Sequence, residues 1–140
     1  MTPSSETRLR VRYAETDKMG VVYYANYFVW MEVGRVELCK ACGFSYRDME
    51  LDDGVLMAVA EAQCRYRAPA RFDDEVIVKT WVAEANKRVV TFGYEMRLAE
   101  TDAVLATGST KHVFVNRKME RVRMPDRYRP LFGLESARAE

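Results

Sequence analysis

The chain has 140 residues, of which 49% are hydrophobic and 31% are charged, and its 22 basic and 21 acidic side chains leave a formal charge of +1 at pH 7. This composition excludes a mainly disordered chain and predicts one folded domain over residues 1–140, with no charge field that would favour a nucleic-acid partner. No apolar run is long enough to cross a bilayer and the first residues lack the pattern of a signal peptide, so we expect a cytoplasmic protein without membrane insertion.

The cysteines and the lone histidine limit the available chemistry. Cys39 and Cys42 are spaced as C-x-x-C, but they lie in an apolar helical run, and no second pair or histidine cluster completes a metal site. We therefore predict reduced core cysteines and no bound metal. His112 is the only histidine, so any scheme that needs a catalytic histidine must use it. Its alternation in phase with the mainly apolar side chains of one strand face predicts a strand histidine with its hydrogen bonds satisfied instead.

The first half of the chain changes from a strand pattern to a helical one. Residues 8–13 alternate between arginine and apolar side chains, which predicts a half-exposed strand, and residues 14–20 form a polar loop. From about residue 24 to residue 42 the apolar side chains cover most of the circumference of a helix. This pattern predicts a long buried helix, which Gly43 ends.

The second half of the chain consists of predicted strands joined by short turns. A connector over residues 44–54 is followed by four predicted strands, which cover residues 54–68, 75–85, 89–98 and 103–115. A final helical turn is predicted over residues 125–131, and a polar tail from about residue 133 is expected to fray.

This order of elements predicts an α+β domain, in which a five-stranded antiparallel sheet curls around the helix and hides it completely. A sheet of this kind has two open edges, and pairing of one edge with a second copy is a common way to cover it. We therefore expect at least a dimer.

Asp17 is the candidate catalytic side chain, because it lies in a loop just before the predicted helix. The first backbone N–H groups of a helix have no partner within the helix, and they can stabilise an oxyanion. A carboxylate beside such donors can attack an acyl carbon or activate water, which is the geometry that acyl transfer needs. The alternative is that Asp17 only stabilises a turn or caps the helix.

Two motifs resemble those of a known family. The segment YAETDKMGVVYYANY over residues 13–27 is similar to the signature of hotdog-fold acyl-CoA thioesterases, in the branch of 4-hydroxybenzoyl-CoA thioesterase and YbgC-like proteins. The segment YRAPARFDD over residues 66–74 is similar to a loop between two strands of that family. The resemblance covers about residues 8–130. It implies a sheet wrapped around a central helix, active sites at a dimer interface, and a homodimer or a dimer of dimers, the latter a homotetramer.

The resemblance also implies roles for residues around the loop. Asp17 matches the catalytic carboxylate of the family, as nucleophile or as general base, and must be ionised in either role. The backbone N–H of Tyr24 matches the donor that polarises the thioester carbonyl. We expect Asn26 to cap the helix or to hold the loop, and Tyr23 to line the substrate pocket. Many YbgC-like members have His-Ala-Asn where this chain has Tyr-Ala-Asn, which leaves both aromatic and aliphatic acyl groups open.

The implied acyl-CoA substrate needs cations for its phosphates, and coenzyme A is part of the substrate, so we expect no separate cofactor. Lys87 and Arg88, at a predicted hairpin, match the family's basic hairpin and are the first candidates for the nucleotide site. Arg117 and Lys118, after the last strand, are the second. Either pair could instead be a solvated turn. Glu61 could reach the site from the partner subunit or lie on a solvated face.

Three functions remain to be compared. Hydrolysis of an acyl-CoA thioester to a free acid and coenzyme A is favoured. A hotdog dehydratase or hydratase would need a histidine in the pocket, but His112 lies far along the chain from Asp17. A module that binds acyl-CoA or an acyl carrier without turnover is the third function, and a carboxylate at position 17 disfavours it.

Overall fold

A sheet and a helix dominate residues 3–134, the part of the chain that the computed structural model describes. The elements in chain order are β1 (Ser4–Arg10), α1 (Asn26–Ala41), β2 (Leu56–Tyr66), β3 (Glu75–Ala85), β4 (Val89–Leu98) and β5 (Val104–Val115). All neighbouring strands are antiparallel, in the order β1-β3-β4-β5-β2. The predicted α+β class and the five-stranded antiparallel sheet are confirmed.

Along β4 every second side chain lies on the face of the sheet that packs on α1. The buried side chains of β4 are Val90, Phe92, Tyr94 and Met96. The helix approaches β3 closely at Gly34, where a Cβ atom would collide with the side chains of Thr80 and Val78. A larger residue at this position would push the helix away from the sheet, because protein interiors are too densely packed to absorb it.

The first strand begins earlier than predicted and ends earlier as well. It covers Ser4–Arg10 rather than residues 8–13. The half-buried side chains of this strand are Ser5, Thr7 and Leu9. Two of these three are polar, so the hydrophobic pattern of the sequence does not reveal the first half of the strand. After Arg10 the chain leaves the sheet and forms a helical turn over Tyr13–Glu15.

Two further segments lie outside the sheet. The connector predicted over residues 44–54 contains helical turns over Tyr46–Asp48 and Met49–Asp53, which are too short for helical periodicity to show in the sequence. The predicted final turn is present over Asp126–Phe132. The fraying expected of the polar tail concerns residues 135–140, which lie outside the described residues.

Helix α1 is only partly covered by its own sheet, which corrects the prediction that the sheet hides it completely. The helix packs mainly against β1 and β3, and less against β4. Val29 and Val33 of the helix remain 46% and 37% exposed. The sheet is wider than one helix can cover, so most side chains of β2, at the far edge, are also exposed.

The two edge strands present different surfaces. On β1, the exposed side chains of Arg8 and Arg10 lie 2.9 and 3.9 Å from the carboxylate of Glu75. Charged side chains of this kind oppose pairing with another strand. On β2, the apolar residues Val59 and Ala60 are exposed. β2 also carries exposed charges, at Glu61 and Arg65, but its apolar pair makes it the edge that is better suited to a second copy of the chain.

A chain of hydrogen bonds runs through the core between α1 and the sheet. The buried guanidinium of Arg35 donates to the hydroxyls of Tyr46 at 2.9 Å and Tyr94 at 3.1 Å. The Tyr94 hydroxyl lies 2.6 Å from Thr110 Oγ1, which in turn lies 2.8 Å from His112 Nε2. Within residues 3–134 no carboxylate forms an ion pair with Arg35. The core therefore holds a positive charge that is stabilised by hydroxyl groups.

The cysteine pair on α1 is part of the packing. Cys39 is buried and Cys42 is half-buried at the end of the helix. Burial raises the pKa of Cys39 to about 12 and also raises that of Cys42, so both thiols stay protonated at neutral pH. In the described part of the chain, no group of three or more His, Cys, Asp or Glu side chains could hold a metal ion. Nor is any helix there long and apolar enough to span a membrane.

Candidate active site

The loop before α1 turns sharply at Asp17. The Asp17 N–H donates to the carbonyl of Val21, and the N–H of Gly20 donates to the Asp17 carbonyl, both at 2.9 Å. The N–H of Met19 donates to Asp17 Oδ1 at 2.8 Å. Gly20 has a φ of +82°, which residues with a Cβ atom rarely adopt. Asp17 therefore does stabilise a turn, but it uses only one carboxylate oxygen, since Oδ2 accepts no hydrogen bond from the described residues.

Asp17 borders an open cavity of about 350 Å³ beside the start of α1. The cavity is lined by Asp17, Met19, Val21, Val22, Tyr24, Tyr27, Tyr66, Arg67, Ala68 and Pro69. Its wall is largely apolar and aromatic, with one cation, Arg67, and one carboxylate. The loop and the segment after β2 are joined there by a hydrogen bond from the Val22 N–H to the carbonyl of Ala70, at 2.8 Å. A volume of this size is typical of a pocket for a small ligand.

The start of α1 leaves two backbone donors unpaired. From Asn26 onward, the first helical N–H groups donate to carbonyls three residues earlier. The N–H groups of Tyr24 and Ala25, by contrast, donate to no acceptor within residues 3–134. They lie at the positive end of the helix dipole, where a developing negative charge is stabilised. Tyr24 also lines the cavity.

The Glu15 side chain joins the loop to α1. Its side chain is 5% exposed and accepts hydrogen bonds from the Arg12 N–H at 2.8 Å and the Trp30 indole at 3.0 Å. Burial alone raises the pKa of Glu15, but these bonds and the Arg12 guanidinium outweigh it and lower the pKa overall. In the sequence, Glu15 is recognisable only as a carboxylate two residues before Asp17. The resemblance implies no role for it.

Asn26 holds the loop rather than capping the helix. It is the first residue of α1, and the cap position is taken by Ala25, whose side chain cannot accept a hydrogen bond. The Asn26 amide instead donates to the carbonyl of Glu15 at 2.8 Å, and the same carbonyl accepts from the N–H of Tyr23 at 2.8 Å. Of the two roles expected for Asn26, the capping role is therefore wrong.

Tyr23, for which we expect a place in the pocket wall, is not among the residues that line the Asp17 cavity in the single chain. Its ring lies 4.6 Å from that of Tyr24, centroid to centroid, and is turned toward solvent. The Tyr24 hydroxyl and, to a lesser degree, the charge of Asp17 raise the pKa of Tyr23. It is therefore a neighbour of the site, while Tyr24 and Tyr27 supply the aromatic wall.

Tyr66, at the end of β2, is a site residue to which the sequence assigned no role. Its ring packs edge-on against Tyr27, 5.1 Å between centroids, and its hydroxyl donates to the carbonyl of Tyr24 at 2.8 Å. Partial burial raises the pKa of the Tyr66 phenol, which therefore remains a donor at neutral pH. Its place in the YRAPARFDD motif was the only available signal.

A model of the thioesterase-like superfamily matches residues 11–131 of the chain. The chain belongs to this superfamily. Putative acyl-CoA thioesterase YneP of Bacillus subtilis is 46% identical over 92 residues, which are 66% of each of the two chains. The solved structure of DHNA-CoA thioesterase from Staphylococcus aureus is 37% identical, with a TM-score of 0.84 over 91% of this chain and 84% of that one.

A third comparison shows similarity of fold only. The structure of 4-hydroxybenzoyl-CoA thioesterase from Pseudomonas sp. strain CBS-3 is 17% identical, with a TM-score of 0.84 over 92% of this chain and 99% of that one. The expected hotdog-fold thioester hydrolase is therefore confirmed. These matches favour hydrolysis over a binding module without turnover.

His112 is remote from the cavity of this thioesterase. It is 1% exposed, packs edge-on against Phe92, and hydrogen-bonds to Thr110 through Nε2, while Nδ1 has no partner in the described residues. Burial, and then the charge of Arg35, lower its pKa to about 3, so the ring is neutral at pH 7. The predicted strand position is confirmed, but the ring is only half satisfied because Nδ1 lacks a partner, and a dehydratase scheme that uses this histidine has no support.

Glu61 does not reach the Asp17 cavity of its own thioesterase chain. On β2 it is paired across the strands with Lys111 of β5, and the two side chains lie 3.6 Å apart on the outer face of the sheet. The Glu61 side chain is 74% exposed. This placement agrees with the solvated-face alternative.

The two basic pairs lie at the opposite end of the sheet from the cavity. Lys87 and Arg88 precede Val89, which pairs with Val113 of β5, whereas the cavity residue Tyr66 pairs with Ala106. Seven residues of strand separate Ala106 from Val113, which is about 23 Å. A single chain therefore does not bring its Lys87 hairpin to its own Asp17.

The second basic pair shares that end of the sheet. Arg117 and Lys118 follow directly on β5. The Arg117 guanidinium donates to the carbonyl of Glu50 at 2.7 Å, and the Lys118 N–H donates to Asn116 Oδ1 at 2.9 Å. Both side chains are exposed.

Proposed function

We propose that this thioesterase hydrolyses acyl-CoA, with Asp17 as its catalytic carboxylate and the Tyr24 N–H as the donor to the thioester carbonyl. The observation that carries the proposal is that Asp17 and Tyr24 border one cavity, where Oδ2 of the former and the N–H of the latter lack partners within residues 3–134. An unpaired carboxylate oxygen beside unpaired amide donors suits attack on an acyl carbon.

Two routes use these groups. In one, Asp17 attacks the carbonyl carbon and forms a mixed anhydride as the C–S bond breaks, and water then hydrolyses the anhydride. In the other, Asp17 takes a proton from a water molecule that attacks the same carbon, and this proton passes to the sulfur as the C–S bond breaks. Both routes give a free acid and the thiol of coenzyme A. Negative charge develops on the carbonyl oxygen in both, which the amide donor and the helix dipole stabilise.

The acyl group is proposed to be aromatic. Tyr24, Tyr27 and Tyr66 line the cavity, and tyrosine rings offer edge-on contacts to another ring. A cavity of about 350 Å³ is large enough for an acyl group with a single aromatic ring or with two fused rings.

A panel of acyl-CoA thioesters tests this function, with release of free thiol as the measurement. We expect turnover of the panel, with the benzoyl and naphthoyl members having higher kcat/KM than straight-chain members of equal carbon number. Faster hydrolysis of the straight-chain members would contradict the aromatic acyl group. Tight binding of acyl-CoA with no thiol released from any member would contradict the function itself.

The proposed assembly is a homodimer, or a dimer of dimers, joined through β2 and located in the cytoplasm. The exposed apolar side chains of Val29, Val33 and Val59 support this, since a second copy would cover them. A two-fold axis between two antiparallel β2 strands reverses the direction of the second sheet. It therefore sets the basic end of one sheet beside the cavity end of the other. An active monomer at micromolar concentration in sedimentation would contradict this assembly.

The nucleotide of the substrate is proposed to contact Lys87 and Arg88 of the partner subunit. Within one chain, about 23 Å of β5 separate the basic end of the sheet from the cavity. The two therefore do not form one small site. The reversed second sheet removes this separation along the strands and leaves the width of the partner's β2 and β5 between the two, which the long coenzyme A molecule would span. Arg117 and Lys118 of the partner subunit follow β5, the strand next to β2, and are proposed as further contacts between that hairpin and the cavity.

Replacing Lys87 and Arg88 together by alanine should raise KM for acyl-CoA about tenfold and leave kcat nearly unchanged. Phosphate contacts remote from the reacting bond stabilise the ground and transition states equally, and so affect binding alone. A thioester of the bare pantetheine arm should not respond. Arg8→Ala with Lys79→Ala removes the same charge from β1 and β3, the two strands farthest from the β2 edge, and should change neither constant. Equal effects on both substrates would exclude the hairpin as the nucleotide site.

A further inference from the structure

The hydroxyl of Tyr66 bonds to the backbone at the point where α1 begins. It donates to the carbonyl oxygen of Tyr24 at 2.8 Å, and its ring is held edge-on by Tyr27 and Tyr24 at 5.1 and 6.4 Å between centroids. The side chain comes from β2, whereas its acceptor precedes the helix. This hydrogen bond therefore joins the edge strand to the helix start, and both tyrosines line the cavity.

The carbonyl of Tyr24 belongs to the same peptide group as the N–H of Ala25. That N–H is one of the two amide donors that have no acceptor within residues 3–134. A hydrogen bond to the oxygen of a peptide group draws electron density toward it and makes the N–H of the same group a stronger donor. Tyr66 therefore strengthens an unpaired donor at the start of the helix.

The neighbouring peptide group is polarised in the same way. The carbonyl of Tyr23, which shares a peptide group with the Tyr24 N–H, accepts a hydrogen bond from the Asn26 N–H at 2.9 Å. The backbone thus presents two successive donors, each with its carbonyl hydrogen-bonded. The first is polarised by the helix itself, and the second mainly by a side chain that can be altered without changing the backbone.

We propose that the Ala25 N–H is a second donor to the thioester carbonyl, next to that of Tyr24, and that Tyr66 is the positioning residue that orients and polarises it. The oxygen of a tetrahedral oxyanion has three lone pairs, so it can accept from two neighbouring donors. The inference rests on the proposed function, since it concerns the same carbonyl. It adds a role for a residue of β2 in the chemical step, in addition to its place in the cavity wall.

The test replaces the Tyr66 hydroxyl and leaves the ring. Tyr66→Phe keeps both edge-on contacts, and we expect kcat for benzoyl-CoA to fall about tenfold with KM changed less than twofold, because a weakened oxyanion donor acts on the transition state. Tyr13→Phe makes the same chemical change on a ring that is 77% exposed and packs against Phe72, outside the cavity, and should leave both constants unchanged. A fall of equal size in the control would overturn the proposal.

A spectroscopic measurement separates polarisation from a merely structural role. Benzoyl-CoA labelled with ¹³C at the thioester carbonyl would be bound to Asp17→Asn, which is expected to slow turnover, and to the double variant with Tyr66→Phe. Infrared difference spectra should show the carbonyl stretch of the bound ester at a higher frequency in the double variant, since a weaker donor leaves more double-bond character. An unchanged frequency would overturn the role of Tyr66.

The two levels of the proposal fail in different ways. If Asp17→Asn turns over benzoyl-CoA as fast as the parent, the proposed catalytic carboxylate is wrong. If Asp17→Asn is slow but Tyr66→Phe leaves both kcat and the carbonyl frequency unchanged, the proposed function stands and the inference about Tyr66 and Ala25 is wrong. Melting temperatures of all variants, measured beside the kinetics, identify any loss that comes from unfolding.

Discussion

Asp17→Asn is expected to lower kcat for the best acyl-CoA substrate by at least about 10²-fold, the lower range for loss of a positioned base, and by more if the carboxylate is the nucleophile. The amide keeps the shape of the side chain, and its oxygen can still accept from the N–H of Met19, so the turn should persist. Folding and ligand binding should therefore change little. The measurement is steady-state release of free thiol, together with direct binding of acyl-CoA to the variant.

Asp74→Asn is the matched control for this change. Asp74 also holds a turn, since its Oδ2 accepts from the N–H of Arg71 at 2.8 Å, but it does not line the cavity. The same substitution there should leave kcat unchanged. Equal activity of Asp17→Asn and the parent would show that Asp17, like Asp74, serves only its turn.

Acid is expected to destabilise the fold through His112. An unfolded histidine titrates near pH 6.5, but in the folded chain burial and the charge of Arg35 lower the His112 pKa to about 3. Below pH 6.5 the unfolded state therefore binds a proton that the folded state does not. Stability is fully present above pH 6.5 and falls by about 1.4 kcal/mol for each pH unit below it, or roughly 2 to 3 kcal/mol by pH 4.5.

His112→Gln isolates this contribution. Glutamine does not titrate, and its amide can still reach the Thr110 hydroxyl with which His112 hydrogen-bonds at 2.8 Å. Urea unfolding, followed by circular dichroism between pH 7.5 and 4.5, should show a steeper loss of unfolding free energy for the parent than for the variant. Other groups, including Glu15 with its lowered pKa, titrate alike in both proteins and cancel in the difference. Parallel curves would contradict the assignment.

The sheet was predictable because its buried strands alternate clearly. The predicted bounds of β3 and β4, residues 75–85 and 89–98, agree with the structure, and turn residues flank both strands. The first strand was misplaced because its inward side chains include serine and threonine, whose burial at an edge strand follows from pairing and not from hydrophobicity. Local pattern does not encode which strand a segment will pair with.

The candidate site was predictable only in the part that lies within one loop of the chain. Asp17 and Tyr24 are seven residues apart, and the position of a carboxylate just before a helix could be inferred from spacing alone. Tyr66 meets the same cavity from a strand 42 residues later, so only the folded arrangement reveals it. The role of Glu15 could not be predicted for another reason. It depends on the buried indole of Trp30, and in the sequence Trp30 is only one of the apolar residues of the helix.

The separation of the cavity and the basic hairpin at opposite ends of the sheet has a consequence for how such a protein can diverge. In the proposed dimer, each chain gives its loop to one reaction centre and its hairpin to the other. Substitutions that retune the acyl pocket fall at one end of the subunit, and those that retune the grip on the carrier fall at the other. The two properties can therefore drift independently, so that a lineage can acquire a new acyl preference while its recognition of the nucleotide stays as it was.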